Sequence, residues 1–210
     1  PKPIQKPYPP VWMVGTSSKW AQRLVEEGWG IALGGPAPNI AFEEAIQKYH
    51  EACEALGKPS QFAYVKAVVL ADDHEQAIEE GRDALVKFID WNVSPMDSLD
   101  RSPEGKQRLI DARYEFYAAD DFPNTRNLSY EQLLDFEIVY AGSPEKVGDQ
   151  LIDLYDRFRF DEFLLLSHMG GNPAWHAMRT QELFATKVAP RLREAAAKME
   201  KRTWLGARRS

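Results

Sequence analysis

The chain has 210 residues, of which 44% are hydrophobic and 28% charged, and this composition is typical of a folded globular protein rather than a disordered one. Its formal net charge of -6 disfavours nucleic acid as the main partner, and its apolar runs are too short to cross a membrane. The single cysteine, Cys53, excludes an intrachain disulfide. We therefore expect a cytoplasmic protein with no membrane segment.

Short apolar runs alternate with helical patterns along the chain. After a proline-rich lead-in, strands are predicted at residues 11–15, 31–33, 62–70 and 163–166. Each strand is followed by a loop and a helical pattern. This order predicts a parallel sheet with helical crossovers, an α/β fold of TIM-barrel type.

Polar residues mark the helix starts. Ser17 and Asn39 are predicted to cap the first two helices, and Asp73 with Gln76 forms a capping-box pattern before the third. Ser129 and Ser143 are each predicted to open a later helix.

Residues 92–127 interrupt the alternation of strands and helices. They contain three prolines and several aromatic residues, and we predict one helix over about 103–117 and a lid-like loop. We treat residues 1–210 as one domain that carries this insertion.

Four strands are half of the eight that a closed barrel requires, so the sheet should have two unpaired edges. Such edges favour association with another chain. The sequence begins at Pro1 without an initiator methionine, so we expect that the chain was processed or cut from a longer one.

The first candidate site follows the first predicted strand, at Gly15, Thr16, Ser17 and Ser18. A glycine allows close approach of the backbone, and the hydroxyls and helix N–H groups can donate to phosphate oxygens. A plain serine cap explains the same residues.

The second candidate site follows the last predicted strand. His168 stands where a side chain projects from the barrel mouth, and Gly170 with Gly171 permits a tight turn. Histidine suits proton transfer near neutral pH, although a structural histidine is the alternative. Arg179 is expected to pair with a carboxylate, and no metal site is predicted.

Three segments carry a resemblance to a known family: residues 5–17, residues 141–151, and residues 167–171 followed by 179–193. Together they resemble the C-terminal half of bacterial-luciferase-like flavin-dependent monooxygenases. The resemblance implies a barrel of eight parallel strands, reduced flavin mononucleotide (FMN) as cofactor and oxygen as cosubstrate. Some relatives use the deazaflavin F420 instead.

The resemblance also assigns roles. It implies that the Gly15–Ser18 loop binds the flavin phosphate, although this loop is shorter than in many members. The family's first four strands, which complete the flavin site and in some members supply a catalytic histidine, have no counterpart here. We expect an oxidoreductase acting on a small organic substrate, as a homo-oligomer or paired with an N-terminal half. The alternatives are an F420-dependent oxidoreductase and a non-catalytic flavin-binding half-barrel.

Overall fold

The computed structural model describes residues 2–15, 18–93, 100, 102–112, 118 and 127–199. Five strands and eight α-helices alternate along these residues: β1 (Trp12–Val14), α1 (Ala21–Glu27), β2 (Gly30–Gly34), α2 (Glu43–Leu56), β3 (Phe62–Leu70), α3 (His74–Val93), α4 (Pro103–Asp111), α5 (Tyr130–Asp135), β4 (Tyr140–Gly142), α6 (Pro144–Phe158), β5 (Glu162–Leu166), α7 (Ala174–Leu183) and α8 (Ala189–Met199). A π-helical turn, Phe184–Val188, joins α7 to α8. No helix in the described part of the chain is long and apolar enough to span a membrane.

Every strand pairing in the sheet is parallel. The strand order is β1-β2-β3-β4, and β5 also pairs with β3. Strand β3 is long enough to hold three partners: β2 pairs with residues 62–65, β5 with residues 63–67 and β4 with residues 68–70. The four predicted strands and the parallel α/β fold are confirmed.

Strand β4 was not predicted. It has only three residues, and it is followed directly by Ser143 and Pro144, which are the signals of a helix start. Residues 140–142 form a strand because Tyr140 pairs with Val68 of β3, which is far away in the sequence. A local pattern of three residues does not contain that information.

Most predicted helix caps are present. Ser129 and Gln132 form a full capping box at α5, and the Ser143 hydroxyl accepts the Lys146 N–H at the start of α6. The Asp73 carboxylate accepts the N–H of Gln76. The predicted cap at Asn39 is wrong, because the Asn39 amide is buried and bonds to Tyr64 and Glu137 instead. Ser17 lies outside the described residues.

Helices α1, α2, α6 and α8 cover one face of the sheet. Because side chains alternate along a strand, Met13, Ile31 and Leu33 point to the same face as Phe62 and Tyr64. This face packs against α1, α2, α6 and α8 in the larger of two apolar clusters. The buried thiol of Cys53 belongs to this cluster, as expected for a small core residue, and burial raises its pKa.

We call the opposite side of the sheet the inner face. It carries Trp12 and Val14 of β1, Gly30 and Ala32 of β2, Ala63, Val65 and Ala67 of β3, and Glu162, Leu164 and Leu166 of β5. The central strands thus present small residues, and the Trp12 ring lies directly over Gly30. Helix α3 covers the carboxyl end of this face through the smaller cluster, which includes Ala67, Leu85 and Ile89.

Candidate active site

Both predicted loops follow the carboxyl ends of parallel strands, and these ends share one edge of the sheet. The Gly15 loop follows β1, and the His168 loop follows β5. In parallel barrels this edge forms the ligand-binding mouth. The two loops lie at the outer strands, separated by β2 and β3.

The first loop is described at Gly15 and from Ser18 onward, whereas Thr16 and Ser17 lie outside the described residues. A Cβ built on Gly15 would meet no described atom within 4 Å, so a ligand can approach the backbone there. The Ser18 hydroxyl donates to Glu44 Oε1 at 2.9 Å. A phosphate that binds the Ser18 hydroxyl would therefore have to displace the Glu44 carboxylate as its hydrogen-bond acceptor.

The second loop holds His168 at the surface. His168 is exposed, whereas its neighbours Ser167 and Met169 are buried. Asn172, also buried, fixes the loop: its Oδ1 accepts the Met169 N–H at 3.0 Å and its Nδ2 donates to the Ser167 carbonyl at 2.9 Å. A rigid loop thus presents His168 to solvent at the mouth. Asn172 has no local sequence signal, because its hydrogen bonds form only once the turn is in place.

Helix α3 lies against the two glycines of this loop. Gly170 has φ of +80°, a left-handed conformation that favours glycine, and a Cβ there would come within 3.0 Å of the Trp91 ring. A Cβ on Gly171 would lie 3.3 Å from Ala84 and from Lys87. Helix α3 thus packs against this loop, whereas most of the predicted insertion at residues 92–127 lies outside the described residues.

Arg179 joins three elements near this mouth. Its Nε donates to the carbonyl of Leu70 at the end of β3 (3.1 Å), and its guanidinium also bonds to Glu80 of α3. The guanidinium lowers the pKa of Glu80. The predicted pairing of Arg179 with a carboxylate is confirmed.

Thr180 and His176 add contacts where β3, α3 and α7 meet, a contact region that we call the junction. The Thr180 hydroxyl accepts the Leu70 N–H at 3.1 Å, and His176 Nε2 lies 3.3 Å from Glu80 Oε2. His176 is buried, and its contact with Glu80 gives it a structural position between α7 and α3. The junction fixes α7 and α3 relative to the end of β3.

Sequence reasoning missed Lys66. This lysine lies in the middle of β3 and is fully buried, with Nζ donating to the carbonyls of Ala37 (3.2 Å) and Glu137 (2.9 Å). Burial lowers its pKa to about 7. Glu137, whose carbonyl it binds, has a left-handed backbone with φ of 52°. The only sequence signal was a charged residue inside an otherwise apolar strand.

Across the residues that the structure describes, no group of three or more His, Cys, Asp or Glu side chains could hold a metal ion.

Comparison with known proteins decides the family. The sequence profile of the family described as luciferase-like monooxygenase matches residues 1–162 of the chain. The chain belongs to the luciferase-like monooxygenase family. The resemblance inferred from the three sequence segments is thereby confirmed.

Relatives of this luciferase-like chain are distant and longer. An uncharacterised protein of Sinorhizobium fredii is 21% identical over 209 residues, covering 94% of this chain and 53% of its own length. The monooxygenase RslO1 from Streptomyces bottropensis has a TM-score of 0.61 at 20% identity, over 90% of this chain and 50% of its own.

A third relative is the oxygenating constituent of 3,6-diketocamphane monooxygenase from Pseudomonas putida, solved in complex with FMN. It has a TM-score of 0.59 at 17% identity, over 88% of this chain and 49% of its own. At these identities the structures show a shared fold. The chain spans about half the length of the relatives that it matches, and this half carries a luciferase-like α/β architecture.

Proposed function

We propose that this protein is a flavin-dependent monooxygenase that uses reduced FMN and oxygen on a small organic substrate. The observation that carries the proposal is the family match over residues 1–162, which includes strands β1 to β4 of the parallel sheet. The general class of enzyme that we infer is an oxidoreductase that uses a flavin or a deazaflavin. FMN is our choice because the family is described as monooxygenases and one relative of this fold was solved with FMN.

The residues at the mouth suit a flavin in two respects. The backbone at Gly15 is open to a ligand, and the left-handed turn at Gly170 lies against the flat Trp91 ring. We assign the flavin phosphate to Gly15, Thr16, Ser17 and Ser18, with Ser18 exchanging Glu44 for the phosphate. Gly170 and Gly171 would border the cofactor on the opposite side.

Bound FMN would supply the electron transfer to oxygen that no side chain can supply. The chain's own residues bind and orient the cofactor and exclude water. We assign proton transfer to an imidazole nitrogen of His168, because the Asn172 bonds hold its loop while the ring stays exposed. Helix α3, packed on Gly170 and Gly171, shields one side of the mouth.

A flavin-binding half-barrel without turnover is the second candidate. It has the same cofactor-binding loops and differs from the first candidate only in lacking turnover. In either case we expect the working assembly to be a homo-oligomer or a pairing with an N-terminal half, in the cytoplasm.

A fluorescence titration of the purified chain with FMN tests the proposal, with F420 titrated in parallel. We expect saturable FMN binding that weakens about tenfold when Ser17 and Ser18 become alanine, because charge-assisted hydrogen bonds to phosphate are lost. Ser102→Ala, which changes the N-cap of α4, is the control and should leave FMN affinity unchanged.

Each outcome of the titration has a defined meaning. Tighter binding of F420 than of FMN would replace the monooxygenase by a deazaflavin-dependent oxidoreductase. FMN binding without turnover of reduced FMN and oxygen would favour the non-catalytic half-barrel. Failure to bind either cofactor would show that this chain alone does not hold a flavin and would contradict both candidates as activities of the chain by itself.

A further inference from the structure

A cleft of about 340 Å³ lies between β4 and the helices α3, α5 and α6. Helix α3 contributes His74 and Ile78, and α6 contributes a second pair of residues. That pair is Lys146 and Gln150. In each pair the residues are four positions apart, so they share one face of their helix. The remaining wall consists of Leu134, Asp135, Glu137, Val139, Tyr140 and Ala141. The lining includes no residue of the outer strands β1 and β5 and none of either candidate loop.

Buried polar atoms without a partner belong to this cleft. Among the residues that the structure describes, four buried side-chain polar atoms form no hydrogen bond. Two of them, His74 Nδ1 and the Tyr140 hydroxyl, belong to residues that line the cleft, and Tyr140 is only 1% exposed. Gly142 allows His74 to approach β4, because a Cβ at residue 142 would lie 2.8 Å from Nδ1. Buried polar atoms without partners destabilise a fold, so a ligand that bonds to them is favoured.

Two side chains of opposite charge lie on different walls of the cleft. Lys146 belongs to α6, Asp135 is the last residue of α5, and both are exposed. Within the described residues neither side chain has a hydrogen bond or an ion pair, and the same is true of the Gln150 amide. Glu137 differs, because its carboxylate pairs with Arg157 at 3.4 Å. The cleft thus offers one ammonium group and one carboxylate that no other described side chain neutralises.

Apolar side chains line the same cleft. Val139 and Ala141 are 0% and 5% exposed, and they form its buried floor. Ile78 and Leu134 are half-buried and pack against the smaller apolar cluster of the core. Small-molecule sites typically combine such an apolar lining with a few polar groups that fix the orientation of the ligand. A ligand that fits this cleft therefore carries an apolar body as well as polar ends.

We propose that this cleft binds a small zwitterion with an apolar body, which is the chemistry of an apolar amino acid. Its carboxylate accepts hydrogen bonds from Lys146 and Gln150, and its ammonium group pairs with Asp135. Its apolar body covers Ile78 and Leu134. A simple anion would meet the carboxylate wall and a simple cation would meet the ammonium wall, so a ligand with both charges satisfies the two walls best. This inference does not rest on the flavin chemistry proposed above.

Calorimetric titration of the native chain with phenylalanine at neutral pH tests the proposal. Hydrocinnamate and phenethylamine are titrated in parallel, because they share the phenyl group of phenylalanine and each lacks one of its two charges. We expect saturable binding of phenylalanine and about tenfold weaker binding of each analogue, since each loses charge-assisted hydrogen bonds.

Two variants locate the bound phenylalanine. Lys146→Ala and Asp135→Asn should each weaken its binding about tenfold, because each removes one charged partner. Both side chains are exposed, so neither substitution should unfold the chain. Lys48→Ala removes a lysine of α2 that pairs with Glu51 and lies outside the cleft, and this control should leave the affinity unchanged.

Three results would overturn the proposal. The first is the absence of phenylalanine binding at millimolar concentration. The second is binding that neither cleft variant weakens, because phenylalanine would then bind elsewhere on the chain. The third is binding of hydrocinnamate or phenethylamine as tight as that of phenylalanine, because the cleft would then not select for a zwitterion.

Discussion

Lys66 carries the most unusual environment of any lysine that the structure describes. Its Nζ lies between two backbone carbonyls and near the rings of Phe42 and Tyr64, at 5.9 and 5.6 Å from the ring centroids. Burial without a carboxylate bonded to Nζ favours the neutral amine, and the pKa falls from 10.5 to about 7. The lysine joins the loop after β2 to the turn before β4.

Lys66 should make the free energy of unfolding depend on pH. Between pH 7 and 10.5 the unfolded chain binds a proton at Lys66 that the folded chain has released, so the free energy of unfolding should rise with pH. Urea unfolding at pH 7 and pH 9 should show Lys66 contributing about 1 kcal/mol per pH unit, and Lys66→Met should lose this contribution.

Lys58 provides the matched control for this measurement. Its Nζ also donates to two backbone carbonyls, those of Val25 and Glu26, but the residue is exposed. Lys58→Met should leave the pH dependence of unfolding as it is in the native protein. Equal pH slopes for the native chain and Lys66→Met would contradict the assigned pKa.

At the scale of elements, the junction of β3, α3 and α7 depends on Arg179. Lysine cannot reproduce a planar fork that bonds at once to the Leu70 carbonyl and to Glu80. Arg179→Lys should lower the free energy of unfolding by about 1 kcal/mol, since the Glu80 side chain is only 20% exposed.

Arg82→Lys is the control for that prediction. Arg82 pairs with Glu131 at 2.9 Å, and both side chains are well exposed, so its replacement should change stability little. Chemical denaturation of the two variants provides the comparison. A larger loss for Arg82→Lys than for Arg179→Lys would contradict the role given to the junction.

The elements that the sequence predicted are those with a local signal. The strand at Phe62–Leu70 follows from its β-branched and aromatic residues, and the start of α5 follows from Ser129 and Gln132. Strand β4 forms because Tyr140 pairs with Val68, which is distant in the chain. The buried position of Asn39 likewise depends on its hydrogen bond with Tyr64. Patterns over a few residues do not contain such contacts.

The same limit applies to the candidate site. The loops of Gly15 and His168 were found because glycine and polar residues follow apolar runs, a pattern typical of strand ends in parallel barrels. Asn172 and Glu80 acquire their roles only when the loop and α3 pack together. The roles of Gly15, Thr16, Ser17, Ser18, His168, Gly170 and Gly171 toward a cofactor remain predictions.

At the scale of the molecule, the chain is a luciferase-like α/β unit with four of its strands in barrel order and two edges unpaired in the part that the structure describes. The two candidate loops follow the outer strands β1 and β5 at the carboxyl end of this sheet.

Amide hydrogen exchange of the native chain, measured with and without FMN, directly tests whether a flavin binds at the carboxyl end of the sheet. We expect FMN to slow exchange in two segments, the loop after β1 around residues 15–20 and the loop after β5 around residues 167–172. Exchange in α4, which lies outside both loops, should not change. Slowing confined to other parts of the chain, or no change at saturating FMN, would contradict a flavin site at the carboxyl edge of the sheet.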